Sequence, residues 1–441
     1  VILSYPDQQP IRPLTTVPTA TVVVPGSKSI TNRALILAAL SAREGTRLTG
    51  ILRSEDTEVM IHGLRQLGFE VNVDWSACVA KVRNMQAERI PAGTADLYVA
   101  NSGTTMRFLT ALVSLGHGRY RLDGIPRMRE RPIQDLLDAL TQLGVDAQSE
   151  YGNGCPPVVV QTNHDTTTSS SRVVSIRASL SSQFLSALLM IAPFRPRGLT
   201  IRLDGPRVSE PYIEMTVQML RHWGASVTAT AEGYEVGSGV QRLSDYHIEP
   251  DASAASYFWA IPAVLGRGAI RVRGLTRRSM QGDVAFTDVL WRMGCRVVES
   301  EDGITVYGGS LRGVDIDMNA ISDTVMTLAA VALFAEGPTT IRNVAHIRHK
   351  ETDRIRALAT ELRKLGASVD EYPDGLRISP GTAKAAVIDT YNDHRMAMSF
   401  ALVGLRVPGV TINNPGCVAK TYPGFWQDLE RLRQQSQQVD V

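Results

Sequence analysis

Cysteine is scarce in this chain. Four occur in 441 residues, Cys78, Cys155, Cys295 and Cys417, and no two form a Cys-x-x-Cys pair. That spacing disfavours a zinc site or a disulfide framework and fits a reducing compartment. The eight histidines form no His-Glu-x-x-His pattern, so no structural metal is expected. Charge of one sign is also lacking: 46 Lys and Arg against 44 Asp and Glu leave +2, too small a surplus to argue for nucleic acid or an anionic membrane. No stretch approaches the ~18 unbroken apolar residues of a membrane span. The opening "VILSYPDQQPIRP" has no basic segment followed by an apolar run, so no secretory signal is expected within it. At roughly 100–200 residues per domain, about two to four domains are expected.

A nucleotide-binding P-loop is missing as well, although "VVVPGSKSITNR" (22–33) looks like one at first sight. That motif needs Gly immediately before the Lys and another five residues earlier. Ser27 and Val22 stand in those places. A short loop carrying Lys28 into a helix start still suits an anion, because unpaired N–H groups and the helix dipole point towards it.

What the chain does have is internal repetition. Six segments begin with small polar residues, run through an Ala/Leu/Met-rich helix, break at Gly or Pro and end in a short strand. They start at 29, 102, 181, 251, 322 and 392, spaced by 73, 79, 70, 71 and 70 residues. Between them recur "LRQLGFEV", "LTQLGVDA", "LRHWGASV", "LWRMGCRV" and "LRKLGASV", which predict helix ends at Gly68, Gly144, Gly224, Gly294 and Gly366, each followed by a strand. A unit of about this length with two helices and several strands suits a βαβαββ module. Its first helix is apolar nearly all round, which predicts burial. Six such units group naturally as two bodies of three.

These helices begin with residues a core does not need. Ser29 stands where an N-cap is expected, with Arg33 four residues on along the same face. Gly103 and Thr104 open the next helix, with Arg107 close behind. Ser181, Ser182 and Gln183 open the third, while Asp323 and the trio Asp393, His394 and Arg395 open later ones. Ordinary capping explains any one of them. Several such starts sharing one cleft would instead sum into an anion-attracting site. "PRMRERPI" adds Arg127, Arg129 and Arg131, and "AKTYPGFW" adds Lys420. "HKETDR" sets Lys350, Glu351 and Arg354 at helical spacings, and could equally be a solvated, salt-bridged face. So many arginines suit small ligands carrying several negative charges. The tract "NHDTTTSSSR" is expected to be an exposed loop without function.

"PGSKSITNR", "NSGTTMRF", "PRMRERPI", "SSQFLSALL", "VSEPYI", "DASAASYF", "ISDTVMTLAAVALFA", "KETDR", "YNDHRMAM" and "AKTYPGFW" stand in this order along nearly the whole chain. Together they resemble the 5-enolpyruvylshikimate-3-phosphate (EPSP) synthase family of enolpyruvyl transferases. The resemblance implies an α/β fold of two inside-out α/β barrel domains, each of three βαβαββ repeats, with the active site in the interdomain cleft. Residues 26–245 would form one domain, on the shikimate 3-phosphate side. Residues 1–25 and 246–441 would form the other, with much of the phosphoenolpyruvate side. It also implies transfer of the enolpyruvyl group of phosphoenolpyruvate to the 5-hydroxyl of shikimate 3-phosphate, with release of phosphate.

By the same resemblance the catalytic residues are Lys28, Asp323, Glu351 and His394, with Asp323 the base near the hydroxyl and Glu351 serving the methylene carbon. Shikimate 3-phosphate would be held by Lys28, Ser29, Arg33, Ser181, Ser182, Gln183, Ser209, Tyr212, Asp323, His346 and Lys350. Phosphoenolpyruvate would be held by Lys28, Gly103, Arg131, Gln183, Arg354, Arg395 and Lys420. No metal, organic cofactor, nucleic acid or membrane is implied, and a cytoplasmic monomer is expected, or a plastid one where a transit peptide has been removed. Two positions depart from the family's pattern. His346 replaces an Asn, which predicts a weaker or pH-dependent substrate contact. Phe108 replaces the Pro of the commoner "NAGTAMRP", which predicts reduced sensitivity to glyphosate, an occupant of the family's phosphoenolpyruvate site. The alternatives are the sister enzyme that transfers enolpyruvate to UDP-N-acetylglucosamine, whose usual loop Cys is absent from "GIPRMRERPI", and a paralogue that binds phosphorylated metabolites without turnover.

Overall fold

The computed structural model describes residues 4–15, 19–41, 44–86, 89–163, 172–177 and 179–437. Residues 164–171, most of the Ser/Thr tract read above as an exposed loop, lie outside them. The chain divides into two compact units, Gly26–Ile248 and the combination of Val1–Pro25 with Glu249–Val441. The division falls after Ile248 rather than after residue 245. Strand Asp245–His247 pairs in parallel with Thr46–Thr49, and Ile248 N–H donates to Thr49 O, so the chain stays with the first unit to that point.

In the unit Gly26–Ile248, three helices are covered on nearly every side: Lys28–Ser41, Gly103–Val113 and Ser182–Ile191. They pack on one another. Their sequences carry no polar stripe, so no face of them can be left in water. The second and third are each followed by a strand that pairs in parallel with the strand before the helix, whereas the strand after the first takes Asp245–His247 as its parallel partner. A second helix and an antiparallel hairpin follow in all three. The middle module shows the scheme most plainly. Thr94–Tyr98 pairs in parallel with Gly118–Asp123, and Asp146–Ser149 pairs antiparallel with Val158–Thr162, which completes the sheet. The second helices are amphipathic: Gln134–Gln142 buries Leu136, Leu137, Ala139 and Leu140 and leaves its polar side outward.

The other unit repeats the scheme around Ala252–Leu265, Val325–Ala332 and His394–Gly404, which also pack on one another. Ser256, Thr327 and Ser399, one from each helix, link hydroxyls at 3.0 and 3.4 Å, so the polar groups inside this core satisfy each other. Here the first sheet takes its parallel edge strand from the chain start, where Thr19–Val22 lies beside Ala269–Arg273. The last sheet is shorter. Val387–Ile388 pairs with Thr411–Asn413, and Gln8–Pro10 takes the place of the hairpin. That matches the absence of a sixth Gly-stop signature. All five predicted stops hold positive φ, from 73° at Gly224 to 116° at Gly294, and so end their helices in the region where a Cβ is costly. No helix of the described residues is long and apolar enough to cross a membrane.

Gly404 ends the third buried helix where the N-terminal segment crosses it. A Cβ there would stand 2.4 Å from Ile11 Cβ, which cannot swing away as a side-chain tip could. Gly404→Ala is therefore expected to lower stability by about 1–3 kcal/mol, read as a lower urea midpoint with an unchanged slope.

Candidate active site

In the unit Gly26–Ile248, the chain enters through a glycine that nothing else can replace: a Cβ on Gly26 would lie 1.8 Å from Gly50 O. The helix then starts at Lys28, two residues earlier than Ser29 as N-cap would require. Ser27 is the cap, its Oγ accepting from Ile30 N–H at 3.4 Å and its carbonyl from Thr31 N–H at 2.9 Å. Ser29 instead sits in the first turn, where its carbonyl accepts from Arg33 Nη1 at 2.9 Å. Lys28 Nζ lies 3.2 Å from the buried carboxylate of Asp56, a partner that sequence reasoning missed. Its only signal was an Asp in the first turn after the cap Ser54.

Arg33 is buried completely, yet all of its hydrogen-bond acceptors among the described residues are neutral. Nε donates to Thr216 Oγ1 at 2.7 Å, and Nη2 to Ser186 Oγ and Tyr212 O, both at 3.2 Å. The ring of Phe108 covers its face, 5.1 Å from the guanidinium carbon to the ring centroid. Burial lowers its pKa to about 10, which still leaves it a cation at neutral pH. Ser186 and Thr216 were also missed, because a lone hydroxyl on an apolar helix carries no periodic signal.

Gly103 opens its helix behind the cap Ser102, whose Oγ accepts from Thr105 N–H at 3.3 Å. A Cβ on Gly103 would meet Arg131 Nη2 at 2.5 Å, so the glycine is what admits the guanidinium. Arg131 donates to Asn101 O at 3.0 Å and is buried. The other arginines of that motif turn elsewhere: Arg129 forks onto Asp123 and Arg127 pairs with Glu130. Ser181 caps the third helix, accepting from Gln183 N–H at 3.2 Å, with Ser182 buried and Gln183 half-buried beside it. Ser209, buried with left-handed φ of 51°, turns the chain into the helix that carries Tyr212 and Thr216.

The other unit gathers a denser charge cluster. Arg354 lies at the centre, its side chain 2% exposed. Nε and Nη2 fork onto Asp393 at 2.8 and 3.3 Å, Nη1 donates to Asp323 at 3.3 Å, and Nη2 donates to Glu351 at 2.9 Å. Burial works against its charge, but Asp393, Glu351 and Asp323 more than reverse that and raise its pKa. Arg395 holds the other oxygen of Asp323 at 2.7 Å and reaches the Tyr257 hydroxyl at 3.3 Å. Lys420 Nζ stands 3.9 Å from Glu351, and His394 is buried beside Asp393. Burial pushes the Tyr257 phenol and the Cys417 thiol up to about 12, so neither ionises near neutral pH.

The solvated-face reading of "HKETDR" does not hold. The helix begins only at Arg354, capped by Asp353 through Arg356 N–H at 3.1 Å, so Lys350 precedes it and shares no helical face with Arg354. Glu351 and Arg354 are both buried. The predicted pH dependence at His346 is corrected too. Burial and then the neighbouring Lys350 lower its pKa to about 3, which keeps the imidazole neutral through the physiological range. Asp393 was noticed only as a helix start. In the structure it caps that helix through Arg395 N–H at 2.9 Å and anchors Arg354 as well.

The fold places this chain among proteins of one α/β class. It superposes on the EPSP synthase of Acinetobacter baumannii with a TM-score of 0.79 at 23% identity, over 96% of this chain and 98% of that one. It also superposes on the enolpyruvyl transferase NikO of Streptomyces tendae with a TM-score of 0.73 at 21% identity, over 96% and 97%. Sequence narrows the class. The family profile described as EPSP synthase (3-phosphoshikimate 1-carboxyvinyltransferase) matches residues 15–429. Relatives named 3-phosphoshikimate 1-carboxyvinyltransferase share 46% identity in Nostoc punctiforme, over 94% of this chain and 97% of that one, and 44% in Shewanella sediminis, over the same shares. The chain belongs to the EPSP synthase family.

His346 carries a stability consequence with a definite sign. Its folded pKa of about 3 lies below the ordinary value, so the unfolded chain takes up the proton first. That contribution to stability is complete above about pH 6.5 and is lost as pH falls towards the folded value. Between pH 7.5 and pH 5, His346→Asn is expected to lose less of its urea-unfolding free energy than the parent does.

Proposed function

We propose that this chain transfers the enolpyruvyl group of phosphoenolpyruvate to the 5-hydroxyl of shikimate 3-phosphate, giving 5-enolpyruvylshikimate 3-phosphate and phosphate, a step of aromatic biosynthesis. The observation that carries the reading is the buried guanidinium of Arg354 holding Asp323, Glu351 and Asp393 together. The reaction needs that combination of cations and carboxylates. The acceptor oxygen must lose a proton as it attacks the enol carbon, while the methylene carbon gains one. The tetrahedral adduct must then expel phosphate as the methyl group returns a proton.

Asp323 takes the hydroxyl proton, with Lys28 beside the same oxygen. Glu351 delivers the proton to the methylene carbon and recovers it, and His394 stands by the same centre. Arg354, Arg395, Lys420, Arg131, Lys28 and the helix start at Gly103, with Gln183, hold the phosphate and carboxylate of phosphoenolpyruvate. Arg33, Ser29, Ser181, Ser182, Gln183, Ser209, Tyr212, His346 and Lys350 hold shikimate 3-phosphate. His346, neutral in the resting protein, serves as a hydrogen-bonding group rather than a charge. Every proton moves through a side chain, so the scheme calls for no cofactor. The proposal includes two inside-out α/β barrels of three modules, each carrying some of these groups, in a monomer working in the cytoplasm or a plastid.

Phosphate release from phosphoenolpyruvate is expected with shikimate 3-phosphate and not with UDP-N-acetylglucosamine. Lys28→Ala and Asp323→Ala should each slow it at least ~100-fold. Binding without release for either acceptor would mean a binding protein instead. Phe108, buried under the Arg33 guanidinium, replaces a rigid proline with a bulky ring one turn behind Thr104. The glyphosate inhibition curve is therefore expected to lie at higher concentration than that of a sensitive family member, and superimposable curves would refute this.

A further inference from the structure

Glu361 is a fully buried carboxylate that the chemistry above does not use. It lies seven residues after Arg354 on the helix Arg354–Lys364, two turns along and on the same face. There it accepts from the Tyr391 hydroxyl at 2.7 Å and from Asp389 N–H at 3.1 Å. Lys364 Nζ stands between the two carboxylates, 2.9 Å from Glu361 and 2.7 Å from Asp389.

The segment held in this way is the one that delivers Asp393, His394 and Arg395. Tyr391 and Asn392 both take left-handed backbone, with φ of 53° and 55°, a conformation that residues bearing a Cβ adopt singly and seldom in succession. Asn413 Nδ2 donates to Asp389 at 2.7 Å and Asn414 Nδ2 to Asn392 at 3.2 Å. Asp393 N–H donates to Thr390 O at 2.8 Å, which closes the turn just before the helix. One helical face therefore fixes both ends of a strained turn: Arg354 grips Asp393, and Glu361 grips Asp389 and Tyr391. Tyr391 is 41% exposed, so its hydroxyl bond matters more than its packing.

We propose that Glu361 and Tyr391 are positioning residues, holding the 389–393 turn so that Asp393, Arg354, Arg395 and His394 stand in register for phosphoenolpyruvate. The proposal rests on the enolpyruvyl-transfer reading above. A displacement on the order of 1 Å in such a constellation costs up to ~100-fold in rate, and a strained turn released from its anchor relaxes in that direction.

The test uses the full chain with Tyr391→Phe, which removes one oxygen and keeps the ring, and with Glu361→Gln, which keeps the shape and one acceptor. Tyr391→Phe is expected to lower kcat/KM for phosphoenolpyruvate about tenfold, leave KM for shikimate 3-phosphate within about twofold, and keep the parent's melting midpoint. Glu361→Gln should fall between parent and Tyr391→Phe. Hydrogen exchange should quicken in 389–396 and nowhere else. Parent kinetics in both variants would overturn the proposal, as would losses shared equally by the two substrates and matched by loss of folded protein. Should the parent release no phosphate, the functional reading fails separately, and unchanged exchange in 389–396 would then overturn the positioning role.

Discussion

A guanidinium that cannot shed its proton has been placed out of water, and much of one unit is arranged around that fact. Arg354 is nearly inaccessible and meets carboxylates from three separate stretches of chain, at 323, 351 and 393. Desolvating such a cation costs several kcal/mol unless charged partners with good geometry surround it. Their convergence requires each stretch to end at the right depth. Asp323 comes from a short turn kinked at Ile321, Glu351 from the residues just before a capped helix, and Asp393 from a left-handed turn. Removing any one partner leaves the others imbalanced, by about 3–5 kcal/mol for a broken buried pair. The cluster therefore ties the geometry of the site to the stability of the unit that carries it.

The other unit solves a related problem differently. Arg33 is as deeply buried, but it is satisfied by hydroxyls, two carbonyls and an aromatic face, without a carboxylate among the described residues. Its pKa falls to about 10, which burial alone explains, and the charge survives. A desolvated cation with neutral partners is a standing attraction for an anion. One unit thus surrounds its buried guanidinium with carboxylates, while the other leaves Arg33 among neutral partners.

Both arrangements depend on helices buried on all sides. A helix with no face to solvent can offer polar groups only at its ends, and its N-terminus brings unpaired N–H groups and a positive dipole. That is why residues such as Lys28, Gly103, Ser181, Asp323 and His394 gather at these starts, while the middles stay apolar apart from hydroxyl pairs such as Ser256 with Thr327.

Much of this was legible in the sequence because it is local. The glycine stops are legible because left-handed φ excludes most other residues there, and the buried helices because an all-round apolar pattern admits one environment. Of the motif residues, the structure brings Asp323, Glu351, Arg354, Arg395 and Lys420 into one charge cluster. What sequence left open or misplaced depends on partners distant along the chain. Nothing in Asp245–His247, Thr19–Val22 or Gln8–Pro10 says which sheet each will join, because strand pairing is set by the backbone it meets. Ser27 rather than Ser29 is the cap because the helix begins two residues earlier than its pattern suggested. Asp56, Ser186, Thr216 and Glu361 gained their roles from neighbours that only folding supplies. His346 looked titratable by type, and burial made it neutral. Sequence determined the elements, the glycine stops that end five helices, and the chemical inventory of the motifs. Tertiary structure decided which strands close each sheet and which charges are paired, because pairing and desolvation are properties of a residue's surroundings and not of the residue.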